Sequence, residues 1–336
     1  KELRWQQSVR KARYHMSMAT FYKYRLRESP NVREMVRQAI FDATINTKKQ
    51  KSDQSFEDAI ANFLIIRLLE YSDPGKSAAL AATSEKKAPG TASTDTALLT
   101  REERYHILSW MKERLPYGLS APDTQNRAAL SALYWQYSAQ FLHGNQLLTD
   151  LELQEVTKKT KAKLERSIEE TVSRGDYVYR EKDDFSLHYH IVEAYMLLAY
   201  GLLTEDKEYI ALSKKMADII NTHAAPNGFL YAKDSNRPSG LGAQAYLMAG
   251  LMNTYFGNSL YAQKFFRYAF GDTFFKDEHY KNRLVWYDTS RGVDPTRYPY
   301  TMTAPPNDDI SFVNMSELGL ALFGEERKIA LTNSNE

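Results

Sequence analysis

The chain has 336 residues, of which 43% are hydrophobic and 26% charged, the balance of a globular protein with a sizeable core. A formal net charge of +2 gives no electrostatic case for nucleic acid or a membrane surface as a partner, and no apolar run approaches the roughly 18 residues a spanning helix needs. With no Cys, disulfides, thiol catalysis and thiolate zinc sites are excluded.

Residues 5 to 48 read as basic helices, with Met16, Met18, Phe21 and Tyr22 set among Lys and Arg and a break at Pro30. Ser55 to Tyr71 reads as a strong amphipathic helix carried by Phe56, Ile60, Phe63, Leu64, Ile66 and Leu68, and Asp73-Pro74-Gly75 stops it. Lys76 to Leu99 is rich in Ala, Ser, Thr and Lys with no periodicity, so it reads as a mobile loop, with a lid over a cleft as the alternative. The expected organisation is N-terminal helices over 1–72, a loop over 73–99, and one body over 100–336, all within one domain.

From residue 100 two kinds of helix alternate. Arg101 to Arg114, Leu151 to Arg174, Glu205 to His223 and Tyr261 to Phe275 are charged and amphipathic. Between them lie nearly apolar stretches starting near Leu130, His190, Ala243 and Phe312, at separations of 60, 53 and 69 residues. Similar text recurs in the second set: Leu130 to Trp135, Glu193 to Leu198, Gln244 to Ala249 and Ser316 to Ala321. Each hairpin would bury its apolar face against its neighbours. The inner helices are too apolar for an open solenoid surface, and Gly240, Gly242, Ala243, Ala245, Ala249 and Gly250 allow close helix approach. The expected fold is therefore all-α, an incomplete or closed (α/α) toroid of helical hairpins joined by short extended connectors. Residues 227 to 232 and 283 to 287 are such connectors and would carry Tyr231 and Trp286 to one rim.

Polar residues gather before every inner helix: Asp123, Gln125, Asn126 and Arg127; then Asp183, Asp184, Ser186, His188, Tyr189 and His190. Asn236, Arg237 and Ser239 precede the third, and Asn307, Asp308, Asp309 and Ser311 the fourth. Each cluster reads as helix capping or, with all four on one rim, as the lining of a cleft. His188 and His190 stand out because His is a poor cap. His190 and Glu193 share a helical face at metal-ligand spacing, but no second pair matches, so neither metal nor cofactor is expected. Tyr, at 23 copies, suits a sugar-lined cleft and also suits a helix-rich core. Arg291 and Tyr300, in an aromatic C-terminal run, would line the same cleft.

His190 at the start of one inner helix, then Arg237 and Tyr246 47 and 56 residues later, resembles the α/α-toroid alginate lyases and related uronate-polysaccharide lyases. The family's Asn before the His is missing here, and Asn126 is the substitute the sequence offers. The resemblance implies β-elimination: Arg237 or Arg127 neutralising the sugar carboxylate, His190 or His188 taking the proton, and Tyr246 returning one or acting as base. A second reading is an inverting glycoside hydrolase with Asp184 and Asp309 as base and acid, about 6.5–9.5 Å apart. A third is a non-catalytic helical-repeat protein binding a polysaccharide or a protein. The substrate expected is an acidic polysaccharide, such as an exopolysaccharide. The chain opens at Lys1 rather than Met, which reads as a processed form and, with that substrate, implies a periplasmic or secreted protein.

Overall fold

The computed structural model describes residues 29–44, 55–72, 98–172, 175–181, 184–231, 241–270 and 306–323, with single positions at 16, 19, 20 and 26. These residues are mostly helical. Helices α1 (Pro30–Ala43), α2 (Ser55–Ser72), α3 (Arg101–Ser120), α4 (Asn126–Gly144) and α5 (Asp150–Thr171) come first. A short hairpin of β1 (Arg180–Glu181) and β2 (Asp184–Phe185) precedes α6 (Leu187–Thr204), α7 (Lys207–Thr222), α8 (Ala243–Tyr255), α9 (Ser259–Phe270) and α10 (Pro306–Phe323). The chain divides into two compact units, 1–165 and 166–336, so the stretch from residue 100 onward is shared between them, with the division inside α5. The loop expected over 76–99 lies almost wholly outside the described residues.

The expected alternation of helix types reappears in how the helices begin. The charged helices α3, α5 and α7, and α1 in the N-terminal part, carry side-chain caps. Thr100 and Glu103 form a capping box on α3, and Thr149 and Glu152 form the equivalent pair before α5. Asp206 accepts from the Glu208 N–H on α7, and Ser29 caps α1 with Pro30 in its first turn. At the N-termini of the near-apolar helices α4, α6 and α8 the N-cap residue makes no side-chain cap bond. Capping by the residue at the N-cap position therefore does not explain Gln125 or Ser186, and the polar residues Asn236, Arg237 and Ser239 ahead of α8 lie outside the described residues. Tertiary burial holds these helices instead: α6 is buried on every face from His190 to Gly201, as is α4 from Ser131 to Ala139. Each large apolar side chain so buried contributes roughly 1.5–3 kcal/mol.

In the first unit, α2 and α4 run parallel, because their contacts advance together along both. Arg127 lies 5.5 Å over the Phe56 ring, Phe63 packs at 5.0 Å from both Tyr134 and Tyr137, and the Tyr137 hydroxyl donates to Glu70 at 3.4 Å. Helix α3 runs the opposite way beside α4. Arg104 reaches Asn145 at one end, and Gly118 receives the Trp135 indole at the other. A Cβ at Gly118 would sit 2.0 Å from Trp135 Cε2, and Trp135 is 1% exposed with nowhere to retreat. We expect Gly118→Ala to cost about 2–3 kcal/mol of stability, with Gly118→Ala/Trp135→Phe recovering part of it, both read by denaturant unfolding.

Gln125, the residue before α4, has φ 53° and ψ −143°, a region that glycine alone occupies without strain. We expect Gln125→Gly to stabilise the fold by about 1 kcal/mol, measurable as a raised Tm, the sign opposite to that of most glycine substitutions.

In the second unit, α6 and α7 form an antiparallel hairpin. The Ser213 hydroxyl donates to the Ala194 carbonyl at 2.7 Å, and Tyr200 packs edge-on against Tyr209 at 5.6 Å. Asn221 and Asn253 exchange amide hydrogen bonds of 2.9 and 3.1 Å between α7 and α8. Helices α8 and α9 pair closely where Gly250 meets the Phe266 ring, and α10 packs on both α8 and α6, with the Tyr195 hydroxyl donating to the Met315 carbonyl.

Candidate functional site

The segment singled out in the sequence divides into an inner and an outer group. Asp184 was expected at the start of a helix. It lies instead in β2, paired with Glu181, because Phe185 and Ser186 are extended and α6 begins only at Leu187. Ser186 occupies the N-cap position, fully buried, and its hydroxyl makes no cap bond.

His190 belongs to the inner group and is fully buried. Its Nδ1 accepts the Tyr179 N–H at 3.0 Å, so Nε2 carries the proton and donates to the Met216 carbonyl at 3.0 Å. The ring thus ties the segment before β1 to α7. Burial is the main cause that pulls its pKa down, to about 4, and keeps it neutral. Glu193, one turn on, is also fully buried, and burial raises its pKa to about 7. It faces Ser167 rather than His190's partners, so the pair at metal-ligand spacing does not converge. Among the described residues no group of three His, Asp or Glu side chains is placed to hold a metal ion.

Tyr246 is inner as well. Its hydroxyl accepts the Leu230 N–H at 3.2 Å, and its ring stacks on Tyr268 at 4.9 Å, with no exposed surface. Arg237, Trp286, Arg291 and Tyr300 lie outside the described residues, as does Asp183. Asp309 falls within α10, but its side chain is outside the description. Asn126 is half-buried in the first turn of α4, and Arg127 is spent on the Phe56 ring.

The outer group is what the mouth of α6 offers to solvent. His188 and Tyr189 are half-buried with ring centroids 5.3 Å apart, and Tyr189 leans on Tyr179 at 5.9 Å. Phe185 stacks on His223, at the end of α7, with centroids 5.1 Å apart and planes 24° from parallel. The Tyr231 N–H donates to the His223 carbonyl at 2.8 Å, which brings a 49%-exposed tyrosine beside that stack. Exposed Asp184 adjoins Phe185. To one side Lys215 of α7 donates to the Tyr177 hydroxyl at 2.8 Å while lying 4.1 Å from the centre of that ring. His223, Tyr177 and Lys215 were not among the sequence candidates. His223 read as the tail of a charged helix, and only the backbone pairing of residues 224 and 230 folds the chain back to put Tyr231 next to it.

Chemically, the outer group holds a carboxylate, two imidazoles and phenol rings at one helix mouth. Aromatic faces with polar edges suit sugar rings, and imidazoles suit proton transfer near neutral pH. Neither a protein-family model, nor a curated protein, nor a solved structure matches this chain. Among the described residues no helix is long and apolar enough to cross a membrane.

Proposed function

We propose that this protein works on an acidic polysaccharide through the outer group at the mouth of α6, and that its two units are built of (α/α)-toroid hairpins. The observation that carries the reading is the set of aromatic and imidazole contacts at the mouth of α6: Phe185 stacked on His223 with half-exposed Tyr231 beside it, and His188 against Tyr189, with exposed Asp184 adjoining Phe185. The toroid reading is supported by parallel α2 and α4 with α3 reversed beside them, and by near-apolar helices buried on every face.

The reaction we propose is uronate β-elimination, with His188 or His223 as the base, since both are half-buried at the mouth of α6 where His190 is fully enclosed. His190 and Tyr246 serve this reading as scaffolding, because their polar atoms are committed to backbone groups. Export to the periplasm or medium belongs to the same proposal, following from the substrate alone. A binding-only role is the second reading, favoured by that same inward commitment of the two groups first assigned the proton transfers.

Tyr189→Ala and Tyr231→Ala are expected to weaken retention of the bound polysaccharide in affinity electrophoresis by about 5- to 20-fold each, while His106→Ala, on exposed α3, leaves it unchanged. Equal retention by both tyrosine variants and the wild type would exclude this face as the sugar-binding one.

A further inference from the structure

Glu193 is a buried acid that the proposed site does not use. Its side chain has no exposed surface, in the first half of α6, the most apolar helix among the described residues. One carboxyl oxygen accepts the Ser167 hydroxyl at 2.9 Å; the other has no hydrogen-bond partner among the described residues. Ser167, also fully buried, stands in the last turns of α5, where Thr171 donates back to the Ser167 carbonyl at 2.6 Å. A carboxylate with a single hydroxyl donor is poorly solvated in such a place, whereas the neutral acid is tolerated.

We propose that Glu193 and Ser167 form a proton-operated latch fastening the last turns of α5 to α6, closed while the carboxyl holds its proton and released as it ionises.

The charged groups on the elements around Glu193 leave it alone. On α6 itself the nearest is His190, neutral and turned to Tyr179 and Met216. From α5, Arg166, Glu169 and Glu170 are exposed. From α7, Lys214 pairs with Asp218 at 2.6 Å, and Lys215 with Tyr177. On α10, Glu317 is buried, and α8 contributes amides rather than charges. Among the described residues, burial and the Ser167 hydroxyl are what set the proton affinity of Glu193, and burial raises it to about 7. The site is thus governed by solvent access, and the release that ionisation demands is an opening toward water. The α5 end is the natural place for it, since α6 is packed on its other faces by α7, α8 and α10.

Amide hydrogen exchange of the wild-type protein tests the latch. Corrected for the intrinsic exchange rate, protection of residues 168–172 is expected to fall about tenfold per pH unit between pH 5 and pH 7 and to level off above. Glu193→Gln, which keeps the hydroxyl contact without a titrating proton, is expected to hold protection constant over that range. Carbon NMR of the Glu193 carboxyl supplies an independent reading, with a midpoint near neutral pH. A wild-type protection factor that does not change with pH, or a Gln variant whose protection falls in parallel with the wild type, overturns the latch. So does a carboxyl that titrates near 4.5. A midpoint near 7 with flat protection overturns it too, leaving only a buried acid.

Discussion

Lys163→Met is expected to lower stability by about 3–5 kcal/mol, the largest single effect the structure predicts outside the deep apolar core. The Lys163 ammonium is 7% exposed and meets Asp123 at 2.7 Å, the Gly118 carbonyl at 3.0 Å and the Ser131 hydroxyl at 3.2 Å. All three of its donor positions are therefore used. Removing it strands the carboxylate of Asp123, 1% exposed, in a place with little water. Much of the loss reflects that stranded charge rather than the net worth of the pair. Lys163→Met/Asp123→Leu is accordingly expected to recover most of it, and denaturant unfolding of the single and double variants checks both halves. A single variant within 1 kcal/mol of wild type would mean that Asp123 finds water or another donor there.

The second large effect is a pair of opposed pH dependences one helical turn apart. Glu193 is raised from 4.5 to about 7, so its contribution is fully present below pH 4.5 and lost as pH rises through 7. His190 is lowered from 6.5 to about 4, so its contribution is present above pH 6.5 and lost as pH falls through 4. Each is worth about 3 kcal/mol over its window, and between pH 4.5 and 6.5 they oppose one another. Replacing either group unmasks the other. The difference in unfolding free energy between Glu193→Gln and wild type should shift in the variant's favour as pH rises from 4.5 to 7. For His190→Gln it should shift against the variant as pH rises from 4 to 6.5. Differences that do not vary with pH for either variant would show that the two groups titrate normally in the fold.

These two cases mark where sequence reading succeeded and where it stopped. The alternation of charged and near-apolar helices was legible in Lys207–Thr222, whose 3.6-residue periodicity follows from one-sided burial, and in Asn126–Gly144 and Leu187–Thr204, whose all-round apolar character follows from burial on every face. Arg101–Ser120 is also buried on one face, but Arg114 and Gly118 lie on that face while Tyr105 and Tyr117 point out, so its sequence carries no clear period. The start of α6 was not legible to the residue. Two strands of two residues each give no period, and they moved Asp184 off the helix. Lys163 was hidden too: inside a run of Lys and Thr it reads as a solvated face, and its burial depends on Asp123 forty residues earlier. His190 and Tyr246 looked chemical because they are polar groups in apolar helices, yet their partners are backbone atoms, which no side-chain pattern announces. The exposed half of the cluster was partly visible in His188, Tyr189 and Tyr231, whereas His223 came into view only with the chain reversal that brings residue 230 back to residue 224.

The central claim is that the mouth of α6 acts on an acidic polysaccharide. Its most direct test is to incubate the purified protein with uronate-containing and neutral polysaccharides while following ultraviolet absorbance and reducing ends together. The account predicts rising absorbance on at least one uronate polymer, as elimination makes unsaturated ends, with a loss of 100-fold or more in the His188→Ala or His223→Ala variant. Reducing ends without absorbance would contradict elimination and point to hydrolysis by Asp184 and Asp309. No product and no binding to any polymer would contradict the claim itself.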